Sequence, residues 1–90
     1  VVHDRHPENY DGHAHVQPAD LKTLLATADV VCLLISWSEE NNAFMHADRF
    51  REMKTVAYFI NTARGELVDE QALLGALKSG KVKGAALDVL

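Results

Sequence analysis

Polar residues capable of chemistry follow short apolar runs at four places: Asp4-Arg5, Ser36-Trp37-Ser38, Asn61-Thr62-Ala63-Arg64-Gly65, and Asp88 near the end of the last run. An acidic residue placed like Asp4 can accept hydrogen bonds from both hydroxyls of an adenosine ribose and would repel a 2′-phosphate. Arg64 carries a permanent charge on a planar fork, suited to gripping a carboxylate or polarising a carbonyl. Gly65 beside it permits a tight bend that would lift the arginine from the chain. Asp88 lies between Leu87 and Val89, and a carboxylate buried there needs hydrogen-bond donors around it. Plainer readings stand beside these. Asp4-Arg5 is also what a solvated turn looks like. Arg64 could be a surface ion-pair partner, and Asp88 could cap a following helix. Cys32, inside an apolar run, reads as a small core residue rather than a nucleophile. Trp37 is either a crevice wall or ordinary packing. His13 and His15 alternate near His3 and His6, yet no Cys or acidic cluster has the spacing of a structural zinc site. A polar surface loop over Glu8 to His15, and no metal, is the expectation.

The elements that must position these residues are legible from the same pattern. Val1 to His3, Val30 to Ile35, Val56 to Ile60 and Gly84 to Val89 are too short for helices, and most are rich in β-branched residues. Val30 to Ile35 is continuously apolar, the habit of parallel strands buried on both faces. Pro18 to Ala26 reads as a helix with Leu21, Leu24 and Leu25 on one face and Pro18 in its first turn. Ala47 to Met53 is a short amphipathic helix carrying Phe50 and Met53. Asp69 to Ser79 is the best helix: Asp69 caps it, Leu73, Leu74 and Leu77 form its stripe, and Gly80 suits the left-handed position beyond its end. Strand and helix alternate throughout, which predicts an α/β fold: a doubly wound parallel sheet of about four strands with three helices and right-handed crossovers. Ligands of such sheets bind outside the carboxyl ends of the strands, where the four polar groups sit.

Composition narrows the function classes. The 90 residues are 48% apolar and 24% charged, with nine basic against thirteen acidic residues and a net charge of −4. This excludes a disordered segment and leaves no electrostatic footprint for nucleic acid or an anionic membrane. No apolar run approaches the roughly 20 residues needed to cross a bilayer, and no signal-peptide pattern opens the chain. The single Cys32 cannot form an internal disulfide, which fits a reducing, cytoplasmic setting. A chain this short buries somewhat over about 60% of its unfolded surface, near the lower limit of independent stability. It starts at Val1 and stops at Leu90, each within an apolar stretch, so a piece of something longer is expected.

The stretch Ile60-Asn61-Thr62-Ala63-Arg64-Gly65-Glu66-Leu67-Val68-Asp69-Glu70, with Gly80-Lys81-Val82-Lys83-Gly84-Ala85-Ala86-Leu87-Asp88-Val89-Leu90, closely resembles the D-isomer-specific 2-hydroxyacid dehydrogenases. The resemblance extends upstream through Leu24 to Val31, covers essentially the whole chain, and is weakest between Pro7 and Val16. It implies a Rossmann-type NAD-binding domain. Arg64 matches the catalytic arginine that binds the substrate carboxylate and carbonyl. Asp4 matches the acidic residue on the adenosine ribose of NAD, with Arg5 beside it, which favours NAD over NADP. Asp88 matches the aspartate that meets the nicotinamide carboxamide, and Thr62 and Ala63 match the backbone beside the nicotinamide. Asp4-Arg5-His6 also looks like the triplet of formate dehydrogenases, a branch that the rest of the chain does not favour.

Departures from the pattern matter. Where the family usually has Pro and, two residues on, Thr, this chain has Ser36 and Ser38, and Leu34 stands where His is common. Ser38 could still present a hydroxyl to the cofactor. The family's Gly-rich phosphate loop should precede Val1, and its catalytic Glu and His should follow Leu90. The expected whole is therefore an NAD-dependent oxidoreductase acting on a small 2-hydroxy or 2-keto acid, forming a homo-oligomer and binding neither nucleic acid nor membrane. Residues 1–90 would be part of its dinucleotide-binding domain, inactive alone. The rivals are a non-enzymatic NAD-sensing module like the related transcriptional corepressors, or an inactive truncated product. In the usual order 3-2-1-4-5-6 the phosphate-loop strand lies between the first strand here and the third. Its absence leaves a gap of two interstrand spacings, roughly 9 to 10 Å, that the ladder cannot close.

Overall fold

A computed structural model describes residues 2–4, 7–12 and 16–88. Three parallel strands form one open sheet in the order β1 (Val30–Leu33), β2 (Ala57–Asn61), β3 (Val82–Leu87). Helix α1 (Leu21–Thr27) precedes β1, α2 (Ala47–Glu52) joins β1 to β2, and α3 (Glu70–Lys78) joins β2 to β3. Single 3-10 turns at Pro7–Tyr10 and Gly65–Leu67 complete the elements. The α/β class and the three helices are as the sequence predicts.

The first predicted strand differs. Val2 forms one parallel bridge, with Pro18, and does not join the sheet. The Val2 N–H donates to the Gln17 carbonyl (2.9 Å) and the Ala19 N–H to the Val2 carbonyl (2.8 Å). Pro18 thus sits between the residues that bond, where its missing N–H is not needed. It belongs to this bridge rather than to the first turn of α1. Asp20 caps that helix instead, its carboxylate accepting from the Thr23 N–H at 2.7 Å. That bond chiefly holds the Asp20 carboxyl below the usual carboxylate range. The predicted gap beside the third apolar run is not seen: that run became β2, which is paired on both sides.

Burial alternates along the strands, with Val31, Leu33, Ala57, Phe59 and Val82 turned inward. Right-handed crossovers advancing in one direction put successive helices on one face, and that face holds the core. Leu25 of α1, Phe50 of α2, and Leu73 and Ala76 of α3 pack over it. Phe50 meets Phe59 edge to face, ring centres 5.3 Å apart at 78°. Within α3, Ala76 turns inward, while Leu74 of the predicted stripe is 45% exposed. The opposite sheet face is open. Val30, Cys32, Tyr58 and Ala86 are exposed there, contrary to the expectation of strands buried on both sides. Cys32 is therefore a surface thiol and not a core residue. Gly84 lets the Tyr58 ring lie across β3, since a Cβ there would meet that ring at 3.3 Å.

The last predicted strand begins two residues early, at Val82, and Val89 of that prediction lies outside the described residues. The third begins one residue late because Val56 occupies a left-handed conformation, φ 60°. Val56 is the third residue of a tight turn closed by the Ala57 N–H on the Lys54 carbonyl (3.2 Å). A β-branched side chain in that region is strained, and the position suits glycine. Val56→Gly is expected to raise the thermal unfolding midpoint by about 2–5 °C, measured by calorimetry; a fall would contradict this strain. The open apolar face and the unpaired outer side of β1 give a second expectation. The ninety-residue chain by itself should self-associate in sedimentation, and a cooperatively folded monomer would contradict it.

Candidate functional site

The site begins with strand register. Leu33 pairs with Asn61, and Asn61 with Leu87, so the three strands end at one level. Ser36 and Ser38 leave β1 there, Thr62 to Arg64 leave β2, and Asp88 leaves β3. The Asp88 N–H donates to the Asn61 carbonyl at 3.1 Å, which ties the ends of β2 and β3 together. Asp88 is exposed, so the burial cost considered from the sequence does not arise.

Arg64 springs from a segment anchored on both sides. Upstream, the buried Asn61 side chain accepts the Ala63 N–H (3.0 Å) and donates to the Arg64 carbonyl (2.9 Å). Downstream, the chain enters the 3-10 turn at Gly65 and pairs with the stretch before α2. The Ala43 N–H donates to Glu66 (2.8 Å), the Met45 N–H to Leu67 (2.9 Å), and the Asp69 N–H to the Met45 carbonyl (3.0 Å). Met45, Leu67 and Val68 are buried along this seam. Gly65 contributes no left-handed bend: the glycines with positive φ are Gly12 and Gly80. The Arg64 side chain stays exposed and pairs with Glu66 at 2.8 Å. The surface ion pair weighed from the sequence is thus present.

That pair is soft. Both partners face water, where such contacts add little stability. Its own backbone N–H, and then Arg64, hold the Glu66 carboxyl below its usual range. A depressed carboxyl stays ionised from neutral pH downward until the medium reaches its lowered value. The pair is therefore present above the ordinary glutamate range and is lost only as pH falls through the acid region. A substrate carboxylate at neutral pH would meet an arginine whose partner is exposed and displaceable.

The β1 loop is ordered by asparagines. Asn41 donates through its side chain to the Ser36 carbonyl (2.9 Å), and its N–H reaches the Ser38 hydroxyl (3.3 Å). The Ser38 hydroxyl thereby accepts within a turn, and its proton remains available to a ligand. Trp37 is 41% exposed with its indole N–H on the Asn42 side chain (3.3 Å), so it borders the loop rather than the core. Asp4 is half-buried beside the Val2–Pro18 bridge, and His3 there contacts the Ala19 carbonyl (3.0 Å). Arg5 lies outside the described residues, as do His6, His13 and His15. Among the described residues no three His, Cys, Asp or Glu side chains converge on a metal position. No described helix is long and apolar enough to cross a membrane.

Ser36, Ser38, Thr62, Ala63, Arg64 and Asp88 thus gather at one sheet edge, while Asp4 stands on the separate bridge. Hydroxyls, backbone groups and an exposed carboxylate at that edge fit the carboxamide and ribose hydroxyls of a dinucleotide. Asn61 was missed by sequence reasoning as a working residue. Its signal was the Asx turn, an asparagine accepting from the N–H two residues on.

Comparison with known proteins agrees with this fold. Residues 1–90 match the D-isomer specific 2-hydroxyacid dehydrogenase, NAD binding domain. The chain is 42% identical over 85 residues to glyoxylate/hydroxypyruvate reductase B of Cronobacter sakazakii, covering 94% of this chain and 26% of that protein. It superposes on a D-lactate dehydrogenase from Treponema pallidum with a TM-score of 0.88 and 36% identity, over 97% of this chain and 26% of the other. The NAD-complexed D-isomer specific 2-hydroxyacid dehydrogenase of Lactobacillus delbrueckii ssp. bulgaricus gives 0.83 and 40%, over 87% and 24%. The chain spans about a quarter of the length of these relatives. A match running through every strand end that carries a polar group leaves one conclusion: the chain belongs to the D-isomer specific 2-hydroxyacid dehydrogenase family, within its NAD-binding domain.

Proposed function

We propose that these ninety residues form the substrate-facing part of the dinucleotide-binding domain in a longer oxidoreductase. That enzyme moves a hydride between the nicotinamide and the C2 of a small 2-hydroxy or 2-keto acid. The observation that carries this is Arg64: an exposed guanidinium on a doubly anchored segment at the carboxyl end of the central strand. NAD, when bound, supplies the hydride acceptor or donor. Thr62, Ala63 and Asp88 would hold its nicotinamide side, with the Ser38 hydroxyl and the Ser36 backbone flanking it. Asp4, with Arg5, would hold the adenosine ribose. Arg64 exchanges Glu66 for the acid's carboxylate and holds the carbonyl carbon in place, which is orientation rather than proton transfer. The chain's five glycines include no G-x-G-x-x-G pattern, so a pyrophosphate cradle must come from elsewhere in the protein.

The same reading makes the whole protein a homo-oligomer in the cytoplasm; the single Cys32, which cannot form a disulfide within this sequence, fits the reducing setting. Arg64→Ala in the full-length protein is expected to lower kcat/KM for glyoxylate, hydroxypyruvate and pyruvate by at least about a hundredfold. Unchanged turnover would remove Arg64 from the reaction, and steady NADH binding without turnover of any 2-keto acid would favour a sensor. Replacing Asp4 tests the other end of the cofactor. Asp4→Ala should narrow the preference for NADH over NADPH by about tenfold in kcat/KM. An unaltered preference would place the ribose elsewhere.

A further inference from the structure

Asn61 makes two side-chain bonds, both to the segment that presents Arg64. Its amide oxygen accepts from the Ala63 N–H (3.0 Å) and its amide nitrogen donates to the Arg64 carbonyl (2.9 Å). These partners are a donor and an acceptor, so the amide has one orientation that satisfies both, and a carboxylate cannot reproduce it. The residue is 1% exposed and is the buried polar side chain of the core's edge. Its main-chain carbonyl receives the Asp88 N–H (3.1 Å). One residue therefore joins the arginine loop to the end of β3. What the amide does is bridge the backbone of Ala63 and Arg64.

We propose that Asn61 is a positioning residue: its carboxamide sets the backbone from which Arg64 reaches the substrate carboxylate. This rests on the reading that Arg64 binds the acid. Without the amide, the Arg64 carbonyl keeps the weaker contact from the Leu67 N–H (3.3 Å), so the turn persists while the arginine's starting point loosens. The effect should fall on substrate capture and disappear when Arg64 can no longer make its fork-like grip.

The test is a double-mutant cycle in the full-length protein with NADH and glyoxylate, hydroxypyruvate or pyruvate. Asn61→Ala should raise the keto-acid KM by about tenfold in the native background. In the Arg64→Lys background the same step should cost less than about threefold. Equal costs in both backgrounds would overturn the proposal and leave Asn61 a structural residue. Arg64→Lys without effect on KM would instead overturn the acid-binding reading itself. A costly Arg64→Lys with a silent Asn61→Ala would overturn only the positioning role. Asn61→Asp, which keeps the size, decides the matter if Asn61→Ala does not fold. Protonated, its carboxyl can donate to the Arg64 carbonyl, so its KM defect should shrink as pH falls from 8 to about 6, relative to the unsubstituted protein. A defect that ignores pH in Asn61→Asp would contradict the donor role.

Discussion

Parallel pairing of β2 with neighbours on both sides is the constraint on which the site depends. Because Leu33, Asn61 and Leu87 stand in register, residues far apart in sequence leave the sheet at one level. Parallel strands need crossovers, and the two here place α2 and α3 on the same face. That face becomes the core, centred on Phe59 and closed by Phe50. Rigid strands then hand their last residues to short loops, which is how the sheet holds polar groups still without burying them. Removing the Phe59 ring would cost about 3–5 kcal/mol, a large part of the net stability of an ordinary folded domain.

The second organising feature is the anchoring of Arg64. A permanently charged side chain is useful only if its backbone is fixed and its charge is not permanently neutralised. Asn61 and the Met45–Val68 bridge meet the first condition. The exposed, weak pair with Glu66 meets the second. Rigidity of backbone and softness of pairing are combined at one residue, the arrangement expected of a carboxylate clamp.

Much of this was legible in the sequence, and the failures have physical causes. Asp69 and Gly80 mark the ends of α3 because capping chemistry is local: the Asp69 carboxylate accepts from the Gln71 and Ala72 N–H groups, and Gly80 takes φ 81°. Pro18 misled because a proline near a helix start usually lies inside it, whereas here Asp20 is the cap and Pro18 sits in a bridge. Continuous apolar runs signalled strands correctly but overstated burial, since composition does not say whether both faces are covered within this stretch of chain. Cys32 was misplaced for that reason. Arg64, Thr62, Ala63 and Asp88 could be placed at one edge from strand ends alone. Asn61 could not be weighted, because an asparagine after a strand reads as a turn former until its two partners are seen.

The central claim is that Arg64, held at the carboxyl edge of the sheet, receives the carboxylate of a small 2-keto acid. A crystal structure of the full-length protein with NADH and oxamate, an unreactive mimic of such acids, addresses it most directly. The guanidinium of Arg64 should lie within hydrogen-bond distance of the oxamate carboxylate, with its pair to Glu66 opened. Oxamate bound away from Arg64, with the Arg64–Glu66 pair intact, would contradict the claim.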